Sequence, residues 1–436
     1  MIKILQYLTL LLPLLCLGQE QALVFQGALV YPVTAAPMED GVLVVQHGKI
    51  LAVGPSGKVA IPEGAEMHDL RGKVLMPGLV DTHSHIGDGD GGDRSATLHP
   101  DARILDAINV RDPHLKKALA GGITTVNIMP GSGYLMSGQT VYLKLREGRS
   151  IEDLLYCDDP LNSICGGLKM ANGTNSLRGE GPFPGTRAKS AAMVRQLFVK
   201  AQDYQRKLKA AAGDPEKMPA RDLQMETLVE VLEGRRIVHH HTHRHDDILT
   251  VLRLAKEFGF RVVLHHVSEG WMVAEEIAAA GAPCSIIAID SPGGKLEAVN
   301  LLNKTGAILA AAGVDVAYHT DDGITDSRLF FRSAAFGVKE GLSREKALAS
   351  LTIAGARMLD LQERIGSLEA GKDADFIILS GDPLSVYTHV EQTWVEGTLR
   401  FDRANPEDYQ YAVGGYGVFR EGFHAHGCLD EEGGGR

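Results

Sequence analysis

Apolar and polar positions run along this chain in two textures. From Ala22 to about Leu75, short β-rich runs sit between Gly and Pro: Ala28-Leu29-Val30-Tyr31, Gly41-Val42-Leu43-Val44-Val45 and Lys49-Ile50-Leu51-Ala52-Val53-Gly54. Such runs bounded by turn residues predict strands. The texture returns in Ala374-Asp375-Phe376-Ile377-Ile378-Leu379 and Gln392-Thr393-Trp394-Val395-Glu396-Gly397. The two chain ends, residues 19–75 and 362–403, are therefore expected to build one small β-sandwich domain. Between them apolar runs alternate with helical patterns. Strands are expected near Leu79–His85, Thr124–Met129, Val141–Leu145, Ile164–Met170, Ile237–His241, Val262–His266, Cys284–Ile289 and Val314–His319. Helices are expected between most of them, among others over Asp247–Phe258, Trp271–Ala280 and Leu296–Ala312. Eight strands with intervening helices predict an α/β fold, a (β/α)8 TIM barrel over residues 76–361, and about 285 residues suit that fold.

In such barrels the active site lies at the C-terminal ends of the strands. The polar residues there are unusual. Met76-Pro77-Gly78-Leu79-Val80-Asp81-Thr82-His83-Ser84-His85 is an apolar strand ending in two histidines. Residues two apart on a strand point the same way, so His83 and His85 can grip one metal ion. Gly167-Leu168-Lys169-Met170-Ala171 is an apolar strand carrying one lysine. Later strands end in His239-His240-His241-Thr242-His243, His265-His266 and His319-Thr320-Asp321-Asp322. Alternation predicts that His239, His241 and His243 share a face, and that His265 faces the other side, under a helix.

Composition narrows the rest. The net charge of −11 argues against a nucleic-acid partner, which needs a basic surface. Fifty glycines suggest many tight loops. Lys3 followed by the leucine-rich run from Ile4 to Leu17 reads as a signal peptide over residues 1–18, cut near Gly18. The run is short of the roughly 20 apolar residues that span a membrane. Lipidation at Cys16 is disfavoured by bulky Leu14 and Leu15. The expectation is an exported protein, periplasmic or extracellular, without a membrane partner after cleavage. Cys157, Cys165, Cys284 and Cys428 lack Cys-x-x-Cys spacing and are read as buried or incidental thiols, although an exported chain could pair some of them. The Gly-rich, acidic tail, residues 404–436, contains His424 and His426 with no strand to frame them.

The run from Pro77 to His85, the later histidines, Asp321 and the segment Ile365-Gly366-Ser367-Leu368-Glu369-Ala370-Gly371-Lys372-Asp373-Ala374-Asp375 resemble the metal-dependent amidohydrolase superfamily. The resemblance covers nearly the whole mature chain and looks closest to imidazolonepropionase-like exported members, whose closing segment is similar to Gly381-Asp382-Pro383-Leu384-Ser385-Val386-Tyr387. It implies two divalent metal ions, zinc in the first instance. His83, His85 and Asp321 would hold the more buried ion, and His241 and His266 the second. Lys169, carbamylated by CO2, would bridge them, because a carbamate is an anionic oxygen ligand where an ammonium is not. His241 is chosen on strand five because His241-Thr242-His243-Arg244-His245-Asp246-Asp247-Ile248 resembles the family's signature there. The implied chemistry is attack by a metal-activated hydroxide, with Asp321 as acid/base.

Each role has a plainer rival. Lys169 could be an ammonium that binds a substrate carboxylate, and Thr174 stands where relatives often carry a glutamate. His239 or His243 could support a ligand or touch substrate. Asp322 is read as a hydrogen-bonding neighbour. Tyr134, Arg178, Arg187, His243 and His319 are candidate substrate contacts, with structural turns and surface charges as the alternative. The expected function is hydrolysis of a C–N bond in an amide, cyclic amide or dipeptide. The alternatives are a mononuclear-metal deaminase of a ring amine and a non-catalytic metal-binding protein. The expected partner is a small-molecule substrate, and a homo-oligomer is compatible with the sequence.

Overall fold

The computed structural model describes residues 21–89, 91–287 and 296–419. The signal segment, Cys16, His424, His426 and Cys428 lie outside them, as does Ile289 at the end of an expected strand.

The N-terminal part forms β1 (Leu23–Val30), β2 (Met38–Gln46), β3 (Lys49–Pro55), β4 (Glu66–Asp69) and β5 (Val74–Pro77). Nine strands follow in the central part: β6 (Leu79–Ser84), β7 (Ile123–Ile128), β8 (Met136–Gln139), β9 (Val141–Lys144), β10 (Leu168–Ala171), β11 (Val238–Thr242), β12 (Val262–His266), β13 (Cys284–Ile286) and β14 (Val316–Tyr318). The chain closes with β15 (Phe376–Leu379), β16 (Val390–Val395) and β17 (Thr398–Asp402).

The two chain ends meet in one eight-stranded sheet, ordered β17-β16-β15-β5-β1-β2-β3, with β4 beside β1. This is one connected sheet where two facing sheets were expected. The reason lies in β1, whose register slips between Gln26 and Ala28 and again between Ala28 and Val30. Bulges bend a strand and redirect its pairing. The first half of β1 accordingly pairs with β4, and the second half pairs with β5. Phe25, Leu43, Leu75, Phe376 and Trp394 pack together as the core of this unit.

In the central part β6 and β7 are parallel, as are β10 to β14 in succession. The expected third strand departs from the scheme. Residues 136–144 form two short strands, β8 antiparallel to β10 and β9 antiparallel to β7. The cause is connection length: Pro130 to Leu135 is far short of the dozen or so residues that a parallel crossover needs. The expected helix over Leu296–Ala312 is reduced to a turn at Leu296–Ala298 and a helix at Thr305–Ala311. The end of β14 returns to β6, where Asp321 N donates to His83 O at 2.9 Å and Thr320 N to Asp81 Oδ1 at 3.1 Å. The whole is a barrel-like α/β unit with an added β domain.

Two further features tie it together. Lys144 on β9 is fully buried and bonds Asp373, with Asp375 at 3.0 Å and Glu396 at 3.3 Å, while Lys49 and Arg364 also reach Asp373. Cys157 and Cys165 form a disulfide, Cα atoms 5.2 Å apart, which corrects the reading of them as thiols. The loop after β9 turns back on itself and brings the two side by side. Cys284 is free and buried. No helix among the described residues is long and apolar enough to cross a membrane.

Candidate metal centre

Strand alternation and three left-handed residues aim the functional side chains. Asp81 and His83 share the inward face of β6, with His85 just past its end. Lys169 lies on β10, and His239 and His241 lie on β11. At the end of β12, His266 and Val267 take φ of 68° and 52°, and Asp321 after β14 takes 50°. Those turns break simple alternation, so His265 and His266 both reach the interior. This corrects the placement of His265 under a helix: its Nδ1 lies 3.2 Å from His83 Nδ1, and its Nε2 lies 3.0 Å from His239 Nδ1.

The six residues expected to hold metal come together. His83 Nε2 and His85 Nε2 are 3.2 Å apart, and Asp321 Oδ1 lies 3.5 and 3.1 Å from them. Lys169 Nζ is 3.2 Å from His83 Nε2 and 3.0 Å from Met129 Sδ. Asp321 Oδ2 lies 3.9 Å from His266 Nδ1, and the His241 and His266 rings have centroids 4.4 Å apart. Two ligand groups share the Asp321 carboxylate: His83 with His85, and His266 with His319. His85 is oriented by Met129 O, 2.8 Å from its Nδ1. His319 is oriented by Ser285 Oγ at 2.7 Å from its Nδ1.

Electrostatics suit cations. Burial holds the His83, His265 and His266 imidazoles far below their ordinary range, and neighbouring charge adds to this. Burial likewise takes His239 and His319 down to about 3. Neutral imidazole is the ligand form. Burial pushes the Asp321 carboxyl up, but the opposing effects, led by the hydrogen bond from His85, outweigh it and hold the group below the usual carboxylate range. The residues fit a divalent ion. In particular, the buried Nε2 of His266 has no hydrogen-bond partner among the described residues, although a buried imidazole nitrogen ordinarily finds one.

Residues 186–401 match the Amidohydrolase family. A solved amidohydrolase from Thermotoga maritima MSB8 is 34% identical and superposes with a TM-score of 0.80, over 87% of this chain and 100% of that one. The chain belongs to the amidohydrolase family. The chain is also 29% identical over 394 residues to the amidohydrolase tasK of Hapsidospora irregularis. That match takes in 83% of this chain but 40% of the relative, so the chain spans less than half of that protein's length. An imidazolonepropionase of Deinococcus radiodurans is 26% identical over 391 residues, covering 79% of this chain and 86% of that one.

His243 sits 2.7 Å from Ser268 Oγ and groups with His241 and Glu297 as a further set of ligand-type atoms. Arg187 pairs with Asp247 at 2.9 Å and lies 3.6 Å from Glu297. Arg178 donates to Asn175 O at 2.6 Å and covers the Phe183 ring. Tyr134 donates to Gly92 O at 3.3 Å. Asp322 accepts from Lys117 at 2.9 Å and from Ser327 Oγ at 2.7 Å. Sequence reasoning missed Glu297, because one acid at the start of an expected helix reads as a solvated surface charge. It also missed Asp81, although Asp81 precedes His83 by one turn of the strand pleat and shares its face.

Proposed function

We propose that this chain hydrolyses a C–N bond in a small amide, cyclic amide or dipeptide at a centre of two divalent ions. The observation that carries the reading is the convergence of His83 with His85, and of His266, on the two oxygens of Asp321. His83, His85 and Asp321 would hold one ion. His241 and His266 would hold the other, and Lys169, as a carbamate, would join the two. Divalent ions held by these residues would supply Lewis-acid polarisation and an activated water near neutral pH. Asp321 is ionised and can accept a proton from the attacking water and return it to the leaving nitrogen. Lys169 is fully buried, with His83 Nε2 and Met129 Sδ among its contacts. Beside two bound cations a carbamate would be attracted where an ammonium would be repelled. Imidazole and carboxylate donors suit zinc. The strands are read as one closed barrel, supported by the hydrogen bonds from the end of β14 to β6. Export is supported by the Cys157–Cys165 disulfide, since such bonds persist in oxidising compartments.

The test is metal content per chain by elemental mass spectrometry, on protein purified without chelator in bicarbonate. Near two ions in the parent and a clear loss in Lys169→Ala are expected. One ion, unchanged in the variant, would overturn the bridged centre and point to ring-amine deamination. Asp321→Asn should lower kcat at least about a thousandfold while the fold persists, as general acid–base roles of this kind imply. Full turnover in that variant would remove the assigned role.

A further inference from the structure

Behind His83 runs a line of buried side chains. His83 Nδ1 faces His265 Nδ1 at 3.2 Å, His265 Nε2 faces His239 Nδ1 at 3.0 Å, and His239 Nε2 faces the Tyr142 hydroxyl at 2.9 Å. His83, His239 and His265 are fully buried. The line is shaped by backbone as well as side chains. A Cβ on Gly167 would lie 2.3 Å from His239 Cδ2, so the ring occupies space that only a glycine leaves.

We propose that Tyr142, His239 and His265 are a tautomer relay that presents His83 Nε2 as a lone-pair donor to the metal. The proposal rests on the reading of His83 as a ligand. A neutral imidazole has one N–H and one acceptor nitrogen, so the line has two self-consistent directions. In one, His83 Nδ1–H donates to His265 Nδ1, His265 Nε2–H donates to His239 Nδ1, and His239 Nε2–H donates to the Tyr142 oxygen. His83 Nε2 is then free of hydrogen. In the other, Tyr142 O–H donates to His239, each imidazole passes its proton on toward His83, and His83 Nε2 carries the hydrogen. Only the first direction is compatible with a cation on His83 Nε2, the atom that faces His85, Lys169 and Asp321. The phenol closes the line in either direction because it both donates and accepts. His85 needs no such device: its Nδ1 faces the Met129 carbonyl, which can only accept, so one group fixes its tautomer. Partners of this kind tune a ligand's orientation and basicity.

The test uses the full-length protein labelled with 15N-histidine, loaded with zinc alone. Long-range 15N–1H spectra should show Nδ1–H on His83 and Nε2–H on His239 and His265. Zinc affinity by chelator competition should fall about 10–100-fold in His265→Leu, the usual range for such partners. It should fall less in Tyr142→Phe and recover in His265→Gln, whose amide both accepts and donates. A packing role alone would make the Leu and Gln variants alike. A proton on His83 Nε2 in the zinc-loaded parent would overturn the relay, and so would unchanged affinity in a folded His265→Leu. His83→Ala separates the two readings. If it binds zinc as tightly as the parent, the ligand assignment fails and the relay fails with it. If it loses zinc while His265→Leu keeps it, the relay alone fails.

Discussion

Burial keeps His239 and His319 neutral, with pKa values taken down to about 3, against an ordinary 6.5. The unfolded chain therefore binds more protons than the folded one between about pH 3 and 6.5, and stability falls as pH falls through that window. The contribution is fully present above about pH 6.5. The metal-free protein should lose thermal stability steadily from pH 7 to pH 4.5, read as Tm by circular dichroism at fixed ionic strength. A flat profile would mean that these rings are solvated. At this scale much of the centre was legible. His83 and His85, Lys169, His241, His266 and Asp321 were found from strand-end position and family likeness, and the structure brings them together. His265 was not legible. Its inward turn depends on left-handed backbone at His266 and Val267, which alternation does not encode.

At the scale of elements, the departure that matters is the third strand of the barrel-like unit. Its antiparallel course follows from a short connection, and it packs closely on the segment before β10. Thr140 N donates to Gly167 O at 2.9 Å, and Tyr142 N donates to Cys165 O at 2.9 Å. That approach needs glycine: a Cβ on Gly166 would stand 2.0 Å from Thr140 O. Gly166→Ala should therefore destabilise the fold by about 3 kcal/mol, the upper part of the overpacking range, read from the urea midpoint. A neutral result would show that the backbone yields there. Strand positions were legible from apolar runs. Strand direction was not, because a run of Val, Tyr and Leu reads the same both ways and only connection length constrains it.

For the whole molecule, the Lys144 network joins a strand of the barrel-like unit to the added sheet. Lys144→Met leaves Asp373 and Asp375 buried with less compensation, and breaking such a buried pair costs about 3–5 kcal/mol. Chemical denaturation should show that loss; a shift under about 1 kcal/mol would mean that Lys49 and Arg364 carry the compensation. Reducing Cys157–Cys165 opens a short loop and should lower stability by about 2–3 kcal/mol, visible as a lower Tm in reductant. Neither feature was legible. Lys144 lies in an apolar run that names no partner, and cysteine spacing alone selects no pair.

The pairing of β5 with β15 sets Met76 opposite Ile377. On a ribosome, the first strands emerge about 300 residues before their partner does, roughly 15–60 s at ordinary elongation rates. Throughout that interval β5 offers an unpaired edge, the kind of surface on which nascent chains aggregate. The N-terminal half-sheet must be shielded while synthesis proceeds, and its completion can only be among the last events of folding.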